Sequence, residues 1–277
     1  MITKAEIRDA INKLGIAGAE ICVHASMRSF ADKVEGNASG LVHSFLDSGC
    51  TILVPAFTYD FLVRPEKRYM PDNNGAGDYS YFLNHVYGEE KIFHTSCKDI
   101  SKEDMGIFAE CVLCEPESVR GYNPLNSFAA LGEHAGRLVE NQTATDVYAP
   151  FRQLCDDDGF VLLMGVSLES ATIIHYAEQK AGRNPFVRWA YDENKKVIPV
   201  LTGSCSMGFG RLKPVLERYA KRTKVGKSIW TCFRARELAD VCAGAIGENP
   251  EITHCGNSDC ERCRDAVAGG PVLFRIF

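Results

Sequence analysis

The chain has 277 residues and a formal net charge of -5 at pH 7. Hydrophobic residues make up 45% and charged residues 24%, which is the composition of a globular protein with a substantial core. The acidic balance argues against a nucleic-acid binder, which needs excess Lys and Arg to neutralise phosphates. No apolar run is long enough to span a bilayer, so no membrane segment is expected.

The amino-terminal stretch MITKAEIRDAINKLGI places Ile7, Ile11 and Leu14 at helical spacing and predicts an amphipathic helix. It has no apolar core of the kind a signal peptide carries, so we expect a cytoplasmic protein. Its twelve cysteines should then be mostly reduced thiols. Four of them are expected as small core residues: Cys22, Cys50, Cys205 and Cys242.

Apolar runs then alternate with segments of helical spacing. Strands are predicted at 20–26, 50–58 and 159–166, and a mixed strand and helix at 128–141. Helices are predicted at 40–49, at 105–114, from about Ser170 and at 210–222. A hairpin is predicted around DENKK within 189–205, and a strand followed by a helix at 223–247. This order favours an α/β fold, with a mixed, partly parallel sheet flanked by helices and an additional α+β portion. We expect one domain over 1–277.

A long loop or lid is predicted at about 61–82, where Pro, Gly, Asn and aromatic residues are frequent. Carboxylates in or beside such loops are candidates for binding ammonium groups. They are Asp60, Asp72, Asp78 and Glu169.

The helix after the apolar strand FVLLMGV carries His175 and Glu178, three residues apart. Side chains at this spacing are neighbours on a helix, so the carboxylate is placed to orient the imidazole. This is the pairing of a general base with its orienting group. In open α/β sheets, ligands bind at the carboxyl ends of strands, where this helix begins. A solvated surface pair is the alternative interpretation.

The stretch VHASMRSFADKVEGNASG follows the first strand and combines small hydroxyl residues with Arg28 and Lys33. We expect a helix from about Gly40, capped by Asn37 or Ser39. A helix start with nearby cations is suited to a phosphate, although an ordinary capped loop has the same pattern.

The order of these stretches, together with FVLLMGVSLESATIIHYAEQKAG and KVGKSIWTCFRARELAD, resembles the aminoglycoside 3-N-acetyltransferase family over most of residues 20–240. The resemblance implies the antibiotic N-acetyltransferase fold and acetyl transfer from acetyl-CoA to an amine of an amino sugar. It implies His175 as general base and Glu178 as its orienting carboxylate. It also implies a coenzyme A site formed by Ser26, Met27, Arg28, Ser29, Phe30, Thr58 and Ser127.

The chain departs from the family pattern on the acceptor side. Gly121 and Asn123 stand where the family commonly has Ser and His, and Glu169 and Ala171 replace an Asp and an Asn. We therefore expect Asn123 and Glu169, with Asp60 and Asp72, to bind the acceptor. Two other functions stay open: an acyl-CoA N-acyltransferase acting on another amine in a biosynthetic pathway, and a protein that binds coenzyme A or an amino sugar without turnover.

The carboxyl-terminal stretch, about 254–277, is rich in cysteine. His254, Cys255, Cys260 and Cys263 form a permitted zinc ligand set, and Cys260 and Cys263 have the spacing of a zinc knuckle. Reduced surface thiols and a local disulfide are the alternatives.

Overall fold

The computed structural model describes residues 1–76, 79 and 91–272. In chain order its strands are β1 (Glu20–Ala25), β2 (Thr51–Pro55), β3 (Val119–Arg120), β4 (Phe128–Leu131), β5 (Phe160–Met164), β6 (Phe186–Tyr191), β7 (Val197–Thr202), β8 (Lys221–Val225) and β9 (Ser228–Arg234). Seven strands form one sheet in the order β3-β4-β2-β1-β5-β9-β8, and β6 and β7 form a separate hairpin. Strand β1 pairs in parallel with both β2 and β5, whereas the remaining pairs are antiparallel. The predicted mixed, partly parallel sheet and the predicted hairpin are confirmed.

The central strands are apolar throughout because both faces of the sheet are covered. In β5, Val161 and Leu163 belong to one buried cluster, whereas Phe160, Leu162 and Met164 belong to the other. Successive side chains of a strand point to opposite faces, so each cluster takes every second residue. A strand buried on both faces cannot show the polar alternation of a surface strand.

Helices flank the sheet. They are α1 (Lys4–Leu14), α2 (Asn37–Leu46), α3 (Lys102–Cys114), α4 (Ala135–Val139), α5 (Ala149–Asp156), α6 (Ile173–Lys180), α7 (Lys213–Leu216), α8 (Ala235–Glu248) and α9 (Glu261–Val267). Helix α1 begins with a capping box between Thr3 and Glu6 and ends at Gly15, which adopts the left-handed conformation. No helix among the described residues combines the length and apolar character that crossing a bilayer requires.

Two local predictions were wrong. Helix α2 begins at Asn37, and its N-cap is Gly36 with φ of 72° and no side-chain cap, so neither Asn37 nor Ser39 caps it. A Cβ at Gly36 would lie 2.8 Å from the Cα of Gly40, which favours glycine at that turn. The segment 210–222 forms only short helical turns, and its last residues enter β8, where Arg222 pairs with Thr231 of β9.

The predicted loop at 61–82 is only partly described. Within its described part there is a single 3-10 turn, Lys67–Tyr69. Asp78, with residues 77 and 80–90, lies outside the described residues, as does the end of the cysteine-rich tail at 273–277.

Candidate active site

The site begins where β5 ends. After Met164 the chain turns at Gly165, passes through a 3-10 turn (Leu168–Ser170) and enters α6. Gly165 has φ of 66°, and a Cβ there would lie 1.9 Å from the Ser29 hydroxyl, so the turn requires glycine. The chain thereby leaves the carboxyl end of β5 and brings the first turns of α6 to the edge of the sheet.

His175 and Glu178 form the contact expected from their helical spacing. Nδ1 of His175 lies 2.8 Å from Oε2 of Glu178. Their side chains are only 10% and 6% exposed. The alternative of a solvated surface pair is therefore wrong.

Glu178 has two further partners. Its Oε1 accepts a hydrogen bond from Arg183 at 2.6 Å, and its Oε2 accepts one from the Ser204 hydroxyl at 2.6 Å. Burial by itself raises the pKa of Glu178, but the hydrogen bond and charge of His175, with Ser204 and Arg183, outweigh it and lower the pKa below its usual range. The carboxylate is ionised at neutral pH and accepts hydrogen bonds only. Nδ1 of His175 therefore carries the proton, and the lone pair of the neutral ring is on Nε2.

Aromatic rings hold the imidazole in place. The Tyr148 ring stacks on His175 with centroids 6.3 Å apart and an interplanar angle of 14°. Phe209 approaches edge-on at 4.8 Å. A Cβ at Gly203 would lie 3.0 Å from Nε2, so glycine leaves that nitrogen accessible. Burial and the charge of Glu178 raise the pKa of Tyr148, which stays a neutral phenol.

His175 faces a cleft of about 300 Å³. Two polar atoms on the residues of its wall, Oδ1 of Asn126 and Oε2 of Glu169, are buried and have no hydrogen-bond partner within the described ranges. Both are acceptors, so they suit a ligand rich in N–H groups. His24 also lines the cleft, and burial lowers its pKa to about 4, so it is neutral at pH 7. Other residues of the wall are Tyr59, Asp104, Tyr148, Thr172, Ser204, Ser206 and Arg262.

A second cavity of about 430 Å³ adjoins the first and shares Val166 and Glu169 with it. Lys213 and Arg222 lie on its wall, and Arg222 forms a bidentate ion pair with Glu217. The two cavities together offer space for two substrates that meet near Glu169.

The predicted coenzyme A loop, residues 26–30, follows β1 directly. Ala25, immediately before it, lines the cleft, whereas its own five residues do not. The Ser29 hydroxyl donates to the Ser26 carbonyl at 2.6 Å and contacts the Ser228 hydroxyl at 2.7 Å. Met27 is partly buried and Arg28 is exposed. Phe30 is fully buried against Trp230, so its side chain belongs to the core and only its backbone is left to a ligand.

Three other predicted binding residues are buried and engaged by the protein. Ser127 donates to the Ala56 carbonyl and accepts from Arg120. The Asn123 side chain bonds backbone atoms on both sides, including the Asn126 N–H at 2.7 Å. Thr58 is 2% exposed. The structure gives Asn123 and Ser127 a role in holding the turn after β3, because their polar atoms are already used.

The predicted acceptor carboxylates are dispersed. Glu169 is on the cleft wall. Asp60 is exposed and lies 3.8 Å from Lys91. Asp72 lines a separate cavity with Arg68 and Tyr69. Of the three, only Glu169 is positioned beside His175.

The cysteine prediction is partly correct. Cys255, Cys260 and Cys263 come together, but the fourth member of the cluster is Cys205, which the sequence places in the core. His254 instead accepts a hydrogen bond from the Gly256 N–H through Nδ1. Cys22, Cys50 and Cys242 are buried, as predicted.

Sequence reasoning missed several residues of the site. Tyr148, Asn126, Ser204 and Arg262 come from four distant parts of the chain. No local pattern marks them, because only the fold brings them beside α6.

Comparisons with known proteins agree with this geometry. The sequence profile of the aminoglycoside 3-N-acetyltransferases matches residues 22–245. Aminoglycoside N(3)-acetyltransferase III of Pseudomonas aeruginosa is 26% identical over 65% of this chain, and the matched region spans 64% of that protein's length. The YokD protein of Bacillus subtilis, described as aminoglycoside N(3')-acetyltransferase-like, is 24% identical over 91% of this chain and 82% of its own length.

Solved structures share the fold. The apoenzyme of aminoglycoside acetyltransferase AAC(3)-IVa has a TM-score of 0.76 at 22% identity and 97% coverage of both chains. Structural neighbours also include that acetyltransferase in complex with a gentamicin and AAC-IIIb in a binary complex with CoASH. The sequence profile covers most of the residues that build the sheet and the cleft, and on that match the chain belongs to the aminoglycoside 3-N-acetyltransferase family.

Proposed function

We propose that the protein transfers the acetyl group of acetyl-CoA to a primary amine of an aminoglycoside, the 3-amino group of its 2-deoxystreptamine ring. The observation that carries the proposal is the buried His175–Glu178 pair, whose imidazole faces a cleft in a chain of this family. Antibiotic resistance is the biological role that such a reaction serves.

His175 acts as the general base. Nε2 accepts a proton from the acceptor nitrogen as that nitrogen attacks the thioester carbon. The C–N bond forms, the C–S bond breaks, and the proton passes to the departing coenzyme A sulfur. General-base catalysis of this kind speeds a reaction by roughly 10²–10⁴-fold. Glu178 stabilises the imidazolium that forms, while Tyr148 and Phe209 fix the ring plane.

Glu169 and Asn126 bind the acceptor. An aminoglycoside carries several ammonium groups, and each offers N–H donors to the unpartnered oxygens Oε2 of Glu169 and Oδ1 of Asn126. Asp104 adds a further carboxylate to the cleft wall. A structural neighbour holds a gentamicin, which supports an acceptor of this class.

The loop at 26–30 binds acetyl-CoA. Arg28 is exposed there and is free to meet a phosphate. The backbone N–H groups of Met27 and Arg28 have no backbone partner within the described ranges and are donors for the developing oxyanion. The neighbour with bound CoASH supports the choice of cosubstrate. We place the reaction in the cytoplasm, since all twelve cysteines are free thiols.

A second candidate is an acyl-CoA N-acyltransferase acting on another amine. It is favoured by Glu169 and Ala171, which replace the Asp and Asn expected in the family on the acceptor side. A thiol-release assay with acetyl-CoA and a panel of amines separates the candidates. Turnover on 2-deoxystreptamine aminoglycosides, with the acetyl group located by NMR on the 3-nitrogen, supports the main proposal. Turnover only on other amines supports the second, and binding without turnover on any amine rejects both.

A further inference from the structure

Four cysteine sulfurs converge beside the active site. The Sγ atoms of Cys205, Cys255, Cys260 and Cys263 all lie within 4.8 Å of one another. Three come from the carboxyl-terminal region, and Cys205 comes from the loop after β7. Cys263 is buried and the other three are partly buried.

The arrangement fits a tetrahedral metal better than a disulfide. Zinc holds thiolates at about 2.3 Å, so the sulfurs of a tetrahedral site are roughly 3.8 Å apart. A disulfide joins two sulfurs at about 2.05 Å and has no use for a third and a fourth. All four cysteines are free thiols here. Thiolates are soft ligands, and a tetrahedral set of four selects zinc among the common divalent ions.

The local backbone is shaped around these sulfurs. The Cys255 N–H donates to Sγ of Cys263 at 3.3 Å, an interaction that stabilises a thiolate. Cys260 is the N-cap of α9 and Cys263 lies in the first turn of that helix, which brings both sulfurs to one side. Gly256 adopts φ of 90° immediately after Cys255, and its N–H occupies Nδ1 of His254.

We propose that Cys205, Cys255, Cys260 and Cys263 bind one structural Zn²⁺ ion as four thiolates, with the four thiol protons released to solvent. Four protein ligands fill the tetrahedral shell and leave no position for a substrate, so the ion has no part in acetyl transfer. His254 is outside the ligand set. The inference does not depend on the proposed reaction.

The ion ties the carboxyl-terminal region to the wall of the cleft. Cys205 directly follows Ser204, whose hydroxyl donates to Glu178. Arg262, between two of the ligands, donates to the Ser204 carbonyl at 2.6 Å. Zinc at this point therefore holds Ser204 in place and, through Ser204, supports the orientation of Glu178 and His175. Cys205 is a positioning residue in this arrangement.

Elemental analysis of the full chain tests the site. The protein is purified without chelator or a metal-affinity step, and its zinc is measured by mass spectrometry. About one equivalent is expected, released as a mercurial reagent titrates the four thiolates. Cys205→Ser should lower the bound zinc at least about tenfold, whereas His254→Ala should keep it. Cys114→Ser, which removes an exposed cysteine of α3, is the matched control and should keep it as well.

Cobalt covers the case in which Cys205→Ser fails to fold. The unmutated protein, loaded with Co²⁺, should show the intense thiolate charge-transfer bands and the visible bands of a tetrahedral sulfur site. Less than about a tenth of an equivalent of zinc, or an octahedral cobalt spectrum, overturns the proposal. Loss of zinc in His254→Ala together with retention in Cys205→Ser also overturns it, in favour of the ligand set expected from the sequence. None of these readouts uses acetyl transfer.

Discussion

Oε2 of Glu178 lies 2.8 Å from Nδ1 of His175, and Oε1 of the same carboxylate lies 2.6 Å from a guanidinium nitrogen of Arg183. Arg183 is itself fixed by the Thr253 hydroxyl at 2.8 Å. A buried carboxylate held on both oxygens cannot rotate freely, so it presents one fixed acceptor to the imidazole. Three elements, α6, the loop after β7 and the turn before α9, thereby cooperate to aim one ring nitrogen at the cleft.

Removing the Ser204 hydroxyl tests this orientation. Ser204→Ala deletes one hydrogen bond to the ionised Glu178, a contact of about 1.5–3 kcal/mol. We expect kcat to fall roughly tenfold with the KM for acetyl-CoA unchanged, because the imidazole loses orientation without losing its binding surface. Steady-state kinetics measure both constants. Ser206→Ala is the control, since Ser206 lines the same cleft but makes no bond to Glu178. An equal loss in both variants contradicts the role given to Ser204.

Glu169→Gln tests the acceptor site. Glu169 brings an unpartnered buried oxygen to the cleft, and the amide keeps its size but removes its charge. The KM for a polycationic acceptor should rise roughly tenfold, while the KM for acetyl-CoA stays constant. Asp72→Asn is the control, since Asp72 lines another cavity. If the acceptor KM is unaltered in Glu169→Gln, this carboxylate does not bind the acceptor.

Arg28→Ala tests the coenzyme A loop. Loss of an exposed guanidinium that meets a phosphate should raise the KM for acetyl-CoA about fivefold to tenfold and leave kcat unchanged. The effect should weaken at high salt, because the contact is at the surface. Arg222→Ala, in the wall of the second cavity, is the comparison. Should only Arg222→Ala raise this KM, the coenzyme phosphates lie in the second cavity rather than at residues 26–30.

His24 predicts a pH dependence of stability. Its pKa is lowered by burial to about 4 from 6.5, so between these values the unfolded chain binds more protons than the folded one. The contribution of His24 to the free energy of unfolding is therefore complete above pH 6.5 and is lost as the pH falls towards 4. The full loss is on the order of 3 kcal/mol. Denaturant unfolding at pH 7 and pH 5 measures it, with His24→Gln as the variant that should lose this part of the slope. An identical slope in the two proteins counts against a buried neutral imidazole.

The strand and helix pattern was largely predictable because the central strands are covered on both faces. Runs such as FVLLM carry no polar residue, and their burial follows from composition alone. The pairing of His175 with Glu178 was equally local, since helical spacing determines it. The short turns at 210–222 were not predictable, since the pairing of Arg222 with β9 depends on a strand that follows later in the chain.

Residue roles that depend on distant partners were out of reach. Asn123 and Ser127 carry polar side chains typical of a binding loop, yet both are turned inward to satisfy buried backbone groups. Tyr148 lies far from His175 in sequence and stacks on it only because α5 and α6 pack near the same sheet edge. Cys205 joins three cysteines from the other end of the chain for the same reason.

The most direct test of the account is the turnover of His175→Ala. We expect kcat to fall by at least roughly 100-fold, because the acceptor amine loses its proton acceptor, while the KM for acetyl-CoA is nearly unchanged. His43→Ala, at a half-exposed histidine of α2, should leave both constants alone. Steady-state thiol release with a 2-deoxystreptamine aminoglycoside measures kcat. A His175→Ala enzyme that turns over at close to the unmutated rate would contradict the assignment of the general base.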